Sequence, residues 1–180
     1  MSEEKKYDVI IVGAGPAGMS AAIYSLRKEL STLLISEDIG GQVTITNEVE
    51  NYPGVDSTSG PDLMTSFRKQ VDKFGGKYDF ARVEKIEKIN GGFLVKTNSG
   101  KEYKSLTVIL AFGLTPRSLG IPSEDKFKGR GIAFCATCDA PLYKGKVAAV
   151  VGGGNSAMEA VEELSKVAEK VYLLHRGDKF

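Results

Sequence analysis

Two glycine triplets, each set between a short apolar run and a helix-like stretch rich in small residues, leave this chain few folds to choose from. The first is Gly13-x-Gly15-x-x-Gly18, with Pro16 and Ala17 inside it, after the run Val9 to Val12; the second is Gly152-x-Gly154-x-x-Ala157 after Val147 to Val151. A strand that enters a tight glycine turn and leaves as a helix opens a βαβ unit, and the turn exposes backbone N–H groups and a positive helix end to which a pyrophosphate can bind. The apolar periodicity predicts a helix from about Ala17 to Lys28 and a strand around Thr32 to Ile35 in the first unit. In the second it predicts a helix to about Glu169 and a strand from Lys170 to Leu174. The expected fold is α/β: a Rossmann-like domain over residues 1–117, with a small antiparallel meander, followed over 118–180 by the first βαβ of a second, incomplete Rossmann-like domain.

Between the two units lie the irregular stretch GGQVTITNEVENYPG and a helix pattern with Pro61 in its first turn. That helix carries Leu63, Met64, Phe67, Val71 and Phe74 on one face and ends at Gly75-Gly76. Residues from about Phe80 to Tyr103 alternate, with turns at Gly91-Gly92 and Ser99-Gly100, and lead into an expected buried strand from Thr107 to Ala111. A composition of 42% hydrophobic and 26% charged residues is that of globular material, so disordered and fibrous readings drop out. The 24 basic and 23 acidic side chains form no long block of one sign, which argues against nucleic-acid or anionic-membrane partners. The run Val9 to Val12 is too short for a signal-peptide core, and no segment approaches the roughly 20 apolar residues of a spanning helix. A soluble cytoplasmic protein is expected, a setting in which two nearby cysteines are catalytic or metal-binding more often than structural.

The two units end differently. In the first, Ser36-Glu37 follows the second strand, nineteen residues beyond Gly18, where a carboxylate can accept hydrogen bonds from a ribose diol. In the second, His175 and Arg176 hold that place, and such cations suit a ribose 2′-phosphate that a carboxylate would repel. The competing readings are a solvated loop acid at Glu37 and a surface charge at Arg176. The segment Phe134-Cys135-Ala136-Thr137-Cys138-Asp139 places two thiols at a spacing that closes a small disulfide ring. A structural zinc site wants four ligands, whereas the chain holds 2 cysteines and 1 histidine. Asp139 is either a proton donor and acceptor for a thiol or a solvated acid. A nicotinamide gives up a hydride while a disulfide is reduced through thiolates, so a flavin is the natural bridge and the first cradle is read as an FAD site.

The stretches GAGPAG, GGQ with ENYPG, KGRG followed by CATCD, GGGNSA and the strand-end HR occur here in one order. In this the chain resembles the low-molecular-weight thioredoxin reductases over essentially its whole length. The resemblance implies an enzyme that reduces thioredoxin or a thioredoxin-like protein with NADPH, through FAD and the cysteine pair, as a homodimer when complete. It would place Gly13, Gly15 and Gly18 at the FAD pyrophosphate, and Gly41, Gln42, Thr46, Asn51 and Gly113 along the rest of that cofactor. Cys138 would face the flavin, Cys135 would attack the partner disulfide and Asp139 would serve as acid or base. Gly152, Gly154, Asn155, Ser156, His175 and Arg176 would hold NADPH.

Three features depart from the family pattern. Ala111-Phe112-Gly113 stands where Ala-Thr-Gly is usual, and Gly177 stands where a second arginine is usual, which leaves NADH open as the nucleotide. The chain also ends after one βαβ of its second domain, as a fragment or as one piece of a split enzyme would. A reductase serving a peroxidase or glutaredoxin-like partner, and a non-catalytic redox-sensor module, are the competing functions.

Overall fold

The computed structural model describes residues 6–178. The N-terminal residues before Lys6, read above for a leader, and the terminal Phe180 lie outside them. The chain divides into two compact units, one up to Thr115 and one from Pro116.

The first unit is built on a six-stranded sheet. Strand β1 (Lys6–Val12) runs into helix α1 (Pro16–Arg27) and strand β2 (Thr32–Ile35). Helix α2 (Gly60–Lys73), the short strand β3 (Lys77–Asp79) and the strands β4 (Val83–Ile89), β5 (Gly92–Thr97) and β6 (Glu102–Leu110) follow. The strand order is β3-β2-β1-β6-β5-β4. β1 lies parallel to β2 and to β6, while β5 pairs antiparallel with both β6 and β4. A strand flanked by parallel neighbours and covered on both faces has no polar side, and β1 obeys this. Its Tyr7, Ile10 and Val12 pack with Leu33, Ile35, Ala81 and Val95, and its Val9 and Ile11 pack on the other side with Met19, Ala22, Leu34 and Val71.

Local chemistry sets the helix ends. Pro16 opens α1 at a position whose N–H has no partner inside the helix. The Ser59 hydroxyl accepts from the Asp62 N–H at 3.2 Å to cap α2, and Gly75, with φ of +79°, follows its last turn.

Two features of this unit differ from expectation. β3 gives no sequence signal, because Lys77-Tyr78-Asp79 is too short to establish a period and forms no apolar run; it exists because β2 offers it an edge, pairing Leu33 with Lys77 through Ile35 with Asp79. The strand expected to be buried at Thr107 to Ala111 is largely exposed, with Ile109 at 38% and Leu110 at 59%. β5 pairs with β6 only as far as Ser105, and beyond it β6 has β1 alone beside it.

The second unit begins with two single-turn helices, α3 (Glu124–Phe127) and α4 (Ala136–Asp139). Strand β7 (Val147–Val151), helix α5 (Asn155–Ser165) and strand β8 (Lys170–Leu174) then form one βαβ with a parallel strand pair. Ala148 and Val150 of β7 pack with Leu164 of α5 and with Ala140. α5 stops short of Glu169, where its apolar pattern would carry it. The Ala168 N–H still bonds the Leu164 carbonyl at 2.8 Å, but the Glu169 N–H turns to the Lys146 carbonyl at 2.9 Å and begins the strand pairing.

Candidate functional site

Three backbone segments meet at the first glycine turn. Gly13 has φ of +106°, and a Cβ there would overlap the Ala111 carbonyl oxygen and stand 2.9 Å from the Phe112 Cα. A Cβ on Gly18 would overlap the Gly13 carbonyl oxygen, so helix and turn approach as closely as their backbones allow. Gly15 is different. It caps α1 with an ordinary φ of −81°, and the nearest atom to a Cβ built there is the Gly40 oxygen at 3.9 Å. Among the described residues nothing crowds a side chain at 15, which leaves bare backbone of the kind against which a pyrophosphate can lie. Pro16 is half-buried at the start of the helix and Ala17 is exposed.

The second segment is the 3-10 turn Gly41–Ile45. The Gly40 N–H donates to the Ala14 carbonyl at 2.8 Å, and a Cβ on Gly41 would lie 3.7 Å from the Gly15 Cα. GAGPAG and GGQ, distant in sequence, are thus face to face. The Gln42 side-chain amide donates to the Leu114 carbonyl, which ties this turn to the third segment, Ala111 to Leu114. Phe112 is 69% exposed, and Gly113 has φ of +62° with open space around it. Thr46 follows the 3-10 turn, half-buried, its carbonyl accepting from the Gly60 N–H at 3.1 Å. Ser36 is half-buried, its N–H bonded to the Asp79 carbonyl at 3.1 Å, while Glu37 beyond β2 and Asn51 in the following loop are exposed.

In the second unit Cys135 and Cys138 form a disulfide with their Cα atoms 5.3 Å apart. Cys135 is the N-cap of α4; its Sγ accepts from the Cys138 N–H at 3.3 Å, and its carbonyl accepts from the Asp139 N–H at 3.0 Å. Both cysteines are exposed and Asp139 is half-buried. The Tyr143 hydroxyl donates to the Gly131 carbonyl at 3.1 Å, joining the chain before the cysteines to the chain after them. Burial, and then the Asp139 charge, push that phenol above its ordinary range. Among the described residues no group of three or more His, Cys, Asp or Glu side chains is gathered for a metal ion.

The second glycine turn repeats the design of the first. Gly152 has φ of +146°, and its N–H donates to the Leu174 carbonyl at 2.9 Å. Gly154 caps α5 with φ of −95°, and a Cβ there would meet nothing within 4 Å. Asn155 and Ser156 are exposed in the first turn of α5, and His175 and Arg176 are exposed directly after β8. Ala157 stands where the third glycine of the triplet would, and a Cβ on Gly152 would approach its Cβ to 3.1 Å.

Residues 7–180 match the family described as pyridine nucleotide-disulphide oxidoreductase. The chain belongs to that family. Among its relatives are the thioredoxin reductase of Bacillus subtilis (strain 168), 47% identical over 180 residues, and that of Listeria innocua serovar 6a, 46% identical. Each comparison takes in 99% of this chain, and 57% and 56% of the respective relative. The crystal structure of thioredoxin reductase from Streptococcus pyogenes MGAS5005 is similar with a TM-score of 0.91 at 39% identity, over 99% of this chain and 58% of that one. The chain therefore spans somewhat more than half the length of the relatives it matches.

Membership of the pyridine nucleotide-disulphide oxidoreductases makes this an oxidoreductase sequence and accounts for its mixed α/β architecture. No helix among the described residues is long and apolar enough to cross a membrane. Several contributors to the first cradle escaped the motif reading. Gly40, with φ of +100° and a Cβ position 2.9 Å from the Met64 Cβ, supports the 3-10 turn, and the carbonyls of Ala14 and Leu114 hold it in place. The doubled glycine at 40–41 is the one sequence signal that points to this turn; backbone carbonyls leave none.

Proposed function

We propose that this chain is the front part of a thioredoxin-disulfide reductase that passes electrons from NADPH, through FAD, to Cys135 and Cys138 and on to thioredoxin or a thioredoxin-like protein. The observation that carries the reading is an exposed Cys135–Cys138 disulfide in a chain with two glycine cradles whose central glycines, Gly15 and Gly154, are not crowded by any of the described residues. Residues 1–117 are assigned as the FAD-binding domain and residues 118–180 as part of the nicotinamide-nucleotide domain.

Gly13, Gly15, Pro16, Ala17 and Gly18 would hold the FAD pyrophosphate through backbone N–H groups and the start of α1. Ser36 and Glu37 would meet its adenosine ribose, and Gly41, Gln42, Thr46, Asn51 and Gly113 would line the remainder. Gly152, Gly154, Asn155, Ser156, His175 and Arg176 would hold NADPH, or NADH in its place. FAD, when bound, supplies a centre that accepts a hydride equivalent and delivers two electrons to a disulfide.

The remaining chemistry belongs to the thiols. In the reduced pair the Cys135 thiolate attacks one sulfur of the partner disulfide and expels the other as a thiolate, which takes up a proton. The Cys138 thiolate then attacks the Cys135 sulfur, closes the Cys135–Cys138 disulfide and releases the second partner thiol. Asp139 is assigned as the acid or base, half-buried one residue from Cys138. A homodimer and a reducing, cytoplasmic setting accompany this reading.

The test is a visible spectrum of the purified chain with added FAD, followed by NADPH and then by oxidised thioredoxin. The expected outcome is a bound flavin that NADPH bleaches, and a Cys138→Ser variant that keeps bleaching while losing thioredoxin reduction. Soluble protein that binds nucleotide yet never takes up FAD would replace the reductase with a redox-sensor module.

A further inference from the structure

The disulfide of the second unit lies between two parts of the chain that a single side chain joins. Before the cysteines, residues 127–132 form a compact turn. The Arg130 and Ile132 N–H groups both donate to the Phe127 carbonyl at 2.9 Å, and the Gly129 N–H donates to the Ile132 carbonyl at 2.9 Å. Arg130 and Gly131 in this turn are exposed, and Phe134 just beyond it is 37% exposed. After the cysteines, the 3-10 turn Ala140–Tyr143 is fixed to the body of the unit, because Ala140 is buried with Ala148, Val150 and Leu164 and Tyr143 packs against them. The Tyr143 hydroxyl then reaches back to the Gly131 carbonyl at 3.1 Å, across 12 positions of chain that include Cys135 and Cys138. Burial, and then the Asp139 charge, keep that phenol protonated, so it stays a donor. A small disulfide that meets the exposed Cys135 needs that sulfur alone. A folded partner must bring its own disulfide to Cys135 and lay its surface on the neighbouring chain at the same time, and a turn that is free to move has to be ordered in the encounter, at a cost to association.

We propose that Tyr143 is a positioning residue for protein disulfides: its hydroxyl pins the turn of residues 127–132 beside the Cys135–Cys138 pair, so that a folded partner meets one preformed surface. This rests on the reading of the pair as a redox centre that serves a thioredoxin-like protein. Tyr143 acts through the turn and not on the sulfurs. Its removal therefore weakens the encounter with a protein disulfide and leaves the thiol chemistry itself intact.

Tyr143→Phe keeps the ring in the core and removes only the hydroxyl. The chain is reduced with a phosphine, freed of it, and mixed either with oxidised thioredoxin or with DTNB, a small aromatic disulfide. In each reaction the dithiol gives two electrons to the probe disulfide, whose two sulfurs leave as thiols or thiolates, and the Cys135–Cys138 bond closes. At limiting thioredoxin the variant is expected to react about fivefold more slowly than the parent, the size of one net hydrogen bond. At saturating thioredoxin, and with DTNB at any concentration, it should stay within about twofold of the parent. Trypsin cleavage after Arg130 reports the turn directly, and it should accelerate by about fivefold as the turn opens more often. An unchanged thioredoxin rate, or thioredoxin and DTNB rates that fall together, would overturn the proposal while leaving the redox pair standing. Unchanged cleavage after Arg130 would overturn it too, by showing that the hydroxyl does not hold the turn. A parent chain that reduces DTNB and leaves thioredoxin oxidised would overturn the thioredoxin reading and this inference with it.

Discussion

The glycines of the first cradle should separate into those that the fold needs and those that the ligand needs. Gly18→Ala puts a methyl into overlap with the Gly13 carbonyl oxygen, a backbone atom fixed by β1 and by the Gly13 N–H to Ile35 carbonyl bond of 2.8 Å. The usual gain of about 1 kcal/mol for alanine over glycine inside a helix is outweighed by an overpacking cost of about 3 kcal/mol, for a net loss of about 2 kcal/mol. At an m-value of about 2 kcal/mol per molar, the urea midpoint should fall by about 1 M. Gly15→Ala meets only the Gly40 oxygen at 3.9 Å and keeps an ordinary φ, so its stability should stay within about 1 kcal/mol of the parent. Its FAD affinity should nevertheless drop by about tenfold or more, because the methyl occupies the side from which the pyrophosphate approaches. Urea unfolding followed by circular dichroism, and flavin fluorescence titration of both variants, measure the two halves of the contrast. A Gly15→Ala protein that binds FAD like the parent, or a Gly18→Ala protein that unfolds at the parent midpoint, would refute the reasoning.

Other consequences are simpler to state. Ser59→Ala removes the hydroxyl that accepts from the Asp62 N–H, and thermal melts should register a loss of about 1 kcal/mol. Glu124 is buried, and its carboxylate is held below the ordinary range by the Ser118 hydroxyl and by the Leu119 and Gly120 N–H groups at 2.6, 3.1 and 2.9 Å. A carboxyl whose folded value is depressed stabilises the fold above its unfolded value of 4.5, and that contribution is lost as pH falls through the folded value. The parent should therefore exceed Glu124→Gln in resistance to urea at pH 7, and the gap should close as the pH is taken below about 4.5; a gap that is constant with pH would refute this.

Much of this fold is local, and what is local was legible. β2, β7 and β8 coincide with their apolar runs residue for residue, because each is a short Val-, Ile- or Leu-rich segment bounded by polar residues or glycine. The first turn of α2 was announced by Pro61, whose effect reaches only a few residues along the chain. The positions of the cradles and of the cysteine pair were legible for the same reason, since a turn, a cap and a two-residue spacer are all short-range chemistry.

What depended on a distant partner was not legible. β3 is polar and three residues long, and it is a strand because β2 has a free edge beside it. The hydropathy of Thr107 to Ala111 is that of a buried strand, yet Ile109 and Leu110 are exposed, because burial depends on what packs on the faces of the sheet and not on the strand's own residues. In the one-dimensional chain all the glycines of the two cradles look alike. Tertiary structure gives them different duties: Gly13 and Gly152 adopt positive φ, Gly18 admits a carbonyl, Gly15 and Gly154 are left bare, and Gly153 and Gly177 make room for a histidine ring. Sequence alone determined that this chain makes two βαβ turns and carries a cysteine pair, because backbone preference and hydropathy act over a few residues. Only the folded chain decided which atoms crowd each glycine, because those atoms come from segments that packing, and not sequence proximity, brings together.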